Sequence, residues 1–417
     1  MIDNPKAFLT DLFTTAYTAC KAEYAMPEYL KKIQVKDKVC ILGAGKAAAE
    51  MAAAAYQYYG DKCYGAVVTR YGYETDKATG AIEVLTASHP APDENSLKAG
   101  RYLLQLAAEA PADVPVVFLI SGGGSALACV PAEGLSFSEK LKVHKFLVKS
   151  GASINQINVV RKHLSGFKGG KLAAACRGQL TSLILSDVVG DDLSIIASGP
   201  TVSDPSEPSE ALAILKQYQY PITAEIEAVL QRPADPALKQ LTDTQNYLIG
   251  NANVAIDAGA VAARAQGLET QIISYEVEGD AQAAAKAHLP IVEQALAQNK
   301  TLLLLSGGEL TVTATGSLGE GGPNQEYVLA LAIALQGKAG VYALACDTDG
   351  VDGSQDVAGA YIDPTSLQRA SAAGVDAQAM LAAHDSYHFF KAIDDLIISG
   401  PTNTNVNDFR AILVVPS

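Results

Sequence analysis

The stretch Val39-Cys40-Ile41-Leu42-Gly43-Ala44-Gly45-Lys46, running into the alanine-rich Ala47–Ala55, decides the fold. Four apolar residues make a strand-sized run, the glycines permit a tight turn, and the alanines that follow form helix readily. A strand, a glycine turn and a helix in that order open a parallel α/β sheet. The same grammar returns at Val116-Val117-Phe118-Leu119-Ile120, followed by Ser121-Gly122-Gly123-Gly124-Ser125. Further strands are expected at 66–69, 82–85 and 180–185. Helices are expected from Asn95 and from the capping pattern Ser136-x-x-Glu139. Ahead of the first strand, Phe8, Leu9, Leu12, Phe13 and Ala16 recur at helical spacing, so 6–32 reads as helical.

A proline-rich shift spans 203–244, with Pro205, Pro208, Pro221, Pro233 and Pro236. It divides the chain into an expected N-terminal domain, 1–242, and a smaller C-terminal domain, 243–417. The first is predicted as a doubly wound, mainly parallel α/β/α sandwich. The second opens with a strand at 247–250 and carries Leu302-Leu303-Leu304-Leu305 into Ser306-Gly307-Gly308-Glu309. Short β-runs without crossover helices, such as 358–362, predict a mixed sheet there.

With 417 residues, 49% hydrophobic and 18% charged, the chain has ample material for two cores. Its formal net charge of -14 repels nucleic acid and anionic membranes, so neither is an expected partner. An anionic small substrate then requires a locally positive pocket. The six cysteines show no CxxC spacing and read as reduced core residues. Residues 1–13 show no basic region followed by an apolar run, and the apolar runs are strand-sized. A soluble cytoplasmic enzyme is the expectation. The oligomeric state is not readable.

Several segments bear candidate chemistry. Gly43, Gly45 and the residues around them match the GxGxxA form of a dinucleotide turn, and Arg70 at the end of the next strand suits a 2′-phosphate. Lys46, at the helix start, is better suited to neutralising transferring phosphate oxygens. A plain turn with a surface lysine is the bland alternative. Ser121, Gly122, Gly123, Gly124 and Ser125 form an anion nest, since consecutive glycines expose backbone amides. The segment from Arg161 to Lys171 packs Arg161, Lys162, Lys168, Lys171 and His163 into eleven residues of an acidic protein, which is the positive pocket the charge balance calls for. A solvated basic face competes with that reading. Asp187, just past a strand, is placed to accept a hydroxyl proton or hold Mg²⁺, while Asp191 and Asp192 could instead cap the next helix. Asp347-Thr348-Asp349-Gly350-Val351-Asp352-Gly353 offers a further metal or nucleotide contact, against an Asx-turn network.

Taken together, Gly43–Ala47, Ser88-His89-Pro90-Ala91-Pro92-Asp93, Ser121–Ala126, Asn158–Ser165, Lys168-Gly169-Gly170, Ser186-Asp187-Val188, Ala197–Thr201, Gly307-Gly308-Glu309, Asn324-Gln325-Glu326 and Asp347–Gly353 resemble the glycerate 2-kinase family with a C-terminal MOFRL domain. Its members often bear the label hydroxypyruvate reductase. The resemblance covers nearly the whole chain. It implies ATP and Mg²⁺, with D-glycerate as acceptor and 2-phosphoglycerate as product. Transfer is expected in line, in an interdomain cleft. The resemblance assigns phosphoryl transfer to Lys46, and with Asp187 and Arg161, read from their own positions, this makes the expected catalytic set. Phosphate or substrate contacts are expected from Gly43, Gly45, the 121–125 loop, Lys162, Lys168, Lys171, Glu309 and Asn324. Metal contacts are expected from Asp187, Asp191, Asp347 and Asp349. Pro323 stands where the family often carries an arginine. An NADP-dependent hydroxypyruvate reductase and a non-catalytic sensor of a phosphorylated metabolite are the competing readings.

Overall fold

The computed structural model describes residues 2–313 and 319–415. They form two compact units, Ala22–Ile249 and Met1–Lys21 joined to Gly250–Ser417.

The first unit is built on strands β1 (Val39–Ala44), β2 (Cys63–Arg70), β3 (Ala81–Ala87), β4 (Val116–Ile120), β5 (Leu180–Leu185) and β6 (Thr244–Gly250), ordered β3-β2-β1-β4-β5-β6. The first five pair in parallel. Strand alternation sends their side chains into two cores. Cys40, Leu42, Phe118 and Ile120 join Leu103 and Ala107 of the helix Glu94–Glu109. Val39, Ile41, Val117 and Leu119 join Met51, Ala52 and Ala55 of the helix Ala48–Tyr59. A doubly covered parallel sheet is thus the outcome. Beyond the sheet, the helices Phe137–Lys149, Ile154–His163, Pro208–Gln217 and Ala224–Leu230 share a separate apolar cluster.

The second unit carries β7 (Glu269–Ser274), β8 (Gly279–Asp280), β9 (Leu302–Ser306), β10 (Leu310–Thr311), β11 (Val341–Asp347), β12 (Gly359–Ile362), β13 (Leu396–Ile397) and β14 (Asp408–Val414). Its six-stranded sheet runs β13-β12-β11-β14-β9-β7 and is mixed. Only the β7–β9 pair is parallel.

The units depart from the expected 1–242 and 243–417 division at both ends. β6, read from sequence as opening the second half, extends the first sheet instead. The opening helix, Pro5–Ala19, buries Phe8, Leu9, Leu12 and Phe13 against Ile256, Ala260 and Phe409 of the second unit. This helix is also shorter than the expected 6–32. It stops at Cys20, and two four-residue turns follow. All six cysteines are free, and none of the described helices is long and apolar enough to cross a membrane.

Candidate functional site

In a doubly wound sheet, ligands gather beyond the strand C-termini where the strand order reverses. Here that point lies between β1 and β4. The turn after β1 and the loop after β4 meet there and interlock. The Lys46 amide donates to Gly122 O at 2.8 Å, and the Ala47 amide to Ser121 Oγ at 2.9 Å. Gly45 N is taken by Val68 O, and Ala48 N by Gly45 O. The packing is close enough that a Cβ on Gly45, at φ +153°, would lie 2.1 Å from Ser121 Oγ.

A dinucleotide pyrophosphate uses free amides at the helix start. The amides of residues 45 to 48 are already spent within the fold, so the GxGxxA match marks close packing of turn on loop. The 121–125 loop is different. Ser121 N and Gly124 N have backbone partners, but no backbone carbonyl among the described residues takes the amides of Gly122 or Gly123.

Side chains close around that loop. A Cβ on Gly122 would come within 1.9 Å of Asp187 Oδ2, so only glycine lets this carboxylate lie so near. Gly123 adopts φ +82°, and a Cβ there would meet the His89 ring at 2.9 Å. Burial, then the charges of Lys46 and Arg70, push His89 down to about 4. The charges of Lys46 and Arg70 thus reach His89 beside the loop. His89 was quoted in the sequence motif without a role, and its proximity was not readable from spacing.

The basic 161–171 segment does not form one pocket. Lys168, 2% exposed, turns to the loop and donates to Ser125 O at 2.7 Å and Ala128 O at 3.2 Å. Burial, together with the charges of Lys140, Arg161 and Lys171, pushes it down to about 7. Arg161 meets His144 Nδ1 at 3.3 Å. Lys162 pairs with Asp204 at 3.6 Å, and Lys171 donates to the carbonyls of Lys162 and Lys168. Lys171 lines a different cavity, of about 260 Å³, with Asp204, Arg232 and Asp235. Asp191 sits at φ 52° in the turn beyond Asp187, and Asp192 caps that turn through Ser194 N at 2.8 Å.

The remaining candidates lie in the second unit. Asp347 Oδ1 accepts the amide of Asp349, and Asp349 Oδ1 the amide of Val351, each at 2.9 Å, the geometry of Asx turns. Burial, then the charges of Asp349 and Asp408, push the Asp347 carboxyl well up. Asn324 spends its side-chain amide on Asp352 and Asp408. Asp352 also takes the amides of Asn324 and Gln325, so it caps the helix Pro323–Leu335 from a distant loop. Glu309 is exposed. No three His, Cys, Asp or Glu among the described residues are grouped to hold a metal unaided. Asp352 was read within the 347–353 loop as a metal or nucleotide contact, while Asp408 and Arg410 were missed by the sequence reading. The available signal was Arg410, a lone charge inside an apolar strand.

Fold and loop define a two-unit α/β protein with a glycine loop at the switch point of its parallel sheet. Residues 8–231 match the domain of unknown function DUF4147, and residues 302–408 match the MOFRL family. A D-glycerate 2-kinase of Thermotoga maritima is 38% identical, over 98% of this chain and 98% of its own. A protein of Agrobacterium vitis that bears the provisional name hydroxypyruvate reductase is 42% identical, over 97% and 94%. A crystal structure of a Thermotoga maritima glycerate kinase superposes with a TM-score of 0.93 at 36% identity, covering 98% of this chain and 99% of the other. The chain belongs to the glycerate kinase family built from these two domains.

Proposed function

We propose that the protein transfers the γ-phosphoryl group of ATP to D-glycerate, giving 2-phosphoglycerate. The observation that supports this reading is the convergence of Lys46, the Gly122–Gly123 amides and Asp187 at the switch point, in a chain of this family. The loop amides and Lys46 hold phosphate oxygens and offset their charge. Asp187 orients the acceptor hydroxyl and accepts its proton as that oxygen bonds phosphorus and ADP departs. Such transfer relies on positioning and electrostatics more than on covalent chemistry. Mg²⁺ is commonly held by one or two carboxylates plus substrate phosphates. Asp187 beside the loop fits that pattern, and the ion would supply further charge neutralisation there. Preference for the C2 hydroxyl rests on the family.

The test is purified protein with Mg-ATP and D-glycerate, following ADP and identifying the product isomer. ADP with 2-phosphoglycerate is expected, and would show that Pro323 is compatible with turnover. NADPH oxidation by hydroxypyruvate without ADP formation would overturn the reading. The spent amides at residues 45–48 argue that no such oxidation occurs.

A further inference from the structure

On the helix Ile154–His163, Asp204 answers Lys162, but among the described residues no carboxylate answers Arg161. Asn158 is 3% exposed, yet its Nδ2 has no hydrogen-bond partner. Three residues on, along the same helix face, Arg161 Nε is buried in the same state. Asn158 Oδ1 is fixed by Ser198 Oγ at 2.8 Å, and Ser198 in turn meets Ser125 Oγ at 3.1 Å. Lys168 spends two of an ammonium's three donors on Ser125 O and Ala128 O. Lys140, 7% exposed, donates to Leu164 O at 2.8 Å.

These charges act on one another. Lys140 and Lys168 are both made less basic by burial and by Arg161. His144 is pushed down to about 4 by burial, then by Arg161, Lys168, Lys140 and Lys145. Among the described residues, no carboxylate lies within ion-pair distance of Lys140, Arg161 or Lys168. Buried charges ordinarily pair, and orphaned buried donors are rare. The arrangement is that of a site completed by an external anion.

We propose that Asn158 Nδ2, Arg161 Nε and Lys168 Nζ bind the carboxylate of the acceptor, with Lys140 adding positive field. The proposal rests on the kinase reading and adds where the acid end of the substrate is held. A guanidinium N–H beside an amide N–H suits a planar carboxylate. Ser125, whose carbonyl Lys168 grips, belongs to the same loop as Gly122, which abuts Asp187. A short hydroxy acid anchored at one end of this loop thus directs its hydroxyl to the other.

The decisive variant is Asn158→Asp. It keeps the acceptor for Ser198 and supplies an internal carboxylate to the buried cations. Calorimetric titration with D-glycerate, with and without a non-hydrolysable ATP analogue, reads binding apart from turnover. D-glycerate affinity is expected to fall about tenfold to a hundredfold in Asn158→Asp and in Arg161→Ala, the range for a charged hydrogen bond. ADP affinity should be unchanged, and ligand-free Asn158→Asp should melt higher than the wild type. Unchanged D-glycerate affinity in Asn158→Asp overturns the pocket. So does a loss of ADP affinity with D-glycerate binding intact, which would give the cluster to a nucleotide phosphate. A wild type that binds D-glycerate but forms no ADP sinks the kinase reading and leaves the pocket standing. One that binds no D-glycerate in either titration overturns both.

Discussion

The chain spells Ser-Gly-Gly after a buried apolar strand twice, at 121–123 after β4 and at 306–308 after β9. In the first unit the strands on both sides are parallel, so the loop emerges at a strand-order reversal with two glycine amides left over. In the second unit β9 lies beside antiparallel β14, and that neighbour's own side chains close the loop. Fully buried Arg410 donates to Gly307 O and to Ser306 Oγ, and pairs with Asp408 at 2.7 Å. Gly307 also accepts the Val277 amide. The first loop leaves the Gly122 and Gly123 amides without a backbone carbonyl among the described residues, while in the second Gly307 is held at both its amide, by Ser274 O, and its carbonyl. What decides is the strand next door, which the three-residue motif does not encode.

The contrast can be broken at several points. Lys46→Ala should lower kcat about 10³-fold or more while the fold persists, as expected for a cation on transferring phosphate. A steady-state ADP assay with an unchanged kcat would remove Lys46 from the chemistry. Replacing the internal cation, Arg410→Leu, leaves Asp408 as a buried unpaired carboxylate. The expected cost is about 3–5 kcal/mol of stability, read from the denaturant midpoint. A near-neutral result would mean that the second loop is not closed by charge. Gly122→Ala drives a methyl onto Asp187, and a displaced catalytic group costs about 10²-fold in rate. Little change in kcat would show that the position of Asp187 is not critical.

A subtler probe is pH. Burial and the neighbouring cations hold His89 at about 4 in the folded chain, against 6.5 for the free side chain. Below 6.5 the unfolded chain takes up this proton more readily, so the contribution present above 6.5 is lost as pH falls toward 4. The melting temperature should fall less steeply over that window in His89→Gln than in the wild type. Parallel curves would place His89 away from Lys46 and Arg70. The smallest effect belongs to Gly307→Ala, whose added methyl sits 3.2 Å from Tyr275 O. A cost of about 1 kcal/mol is expected, and a collapse of the fold would contradict the looser packing there.

Much of this was legible in the residues. Alternating apolar runs and glycine turns marked β1, β4 and β5, because strand period and turn chemistry are local properties. Asp93 and Ser136 cap their helices as their positions suggest. What could not be read were partners distant in sequence. The apolar stripe of Phe8, Leu9, Leu12 and Phe13 declares a buried face and says nothing of what covers it. The cations of 161–171 read as one pocket, because a linear count cannot see Asp204 neutralising Lys162 or two carbonyls taking Lys168. Asn158 stood in the family motif without a role, as an uncharged residue inside a helix, and only its unpaired buried amide singles it out.

The opening helix has a consequence for how the molecule is made. Phe13 packs with its ring centroid 6.0 Å from that of Phe409. A ribosome adds about 5–20 residues per second. The stripe emerges well before its mate and therefore waits roughly 20–80 s for it, while residues 22–249 can already close their own sheet. Once that unit is finished, an apolar helix still hangs from it until residue 409 emerges, a target for chaperones and a hazard among crowded polysomes.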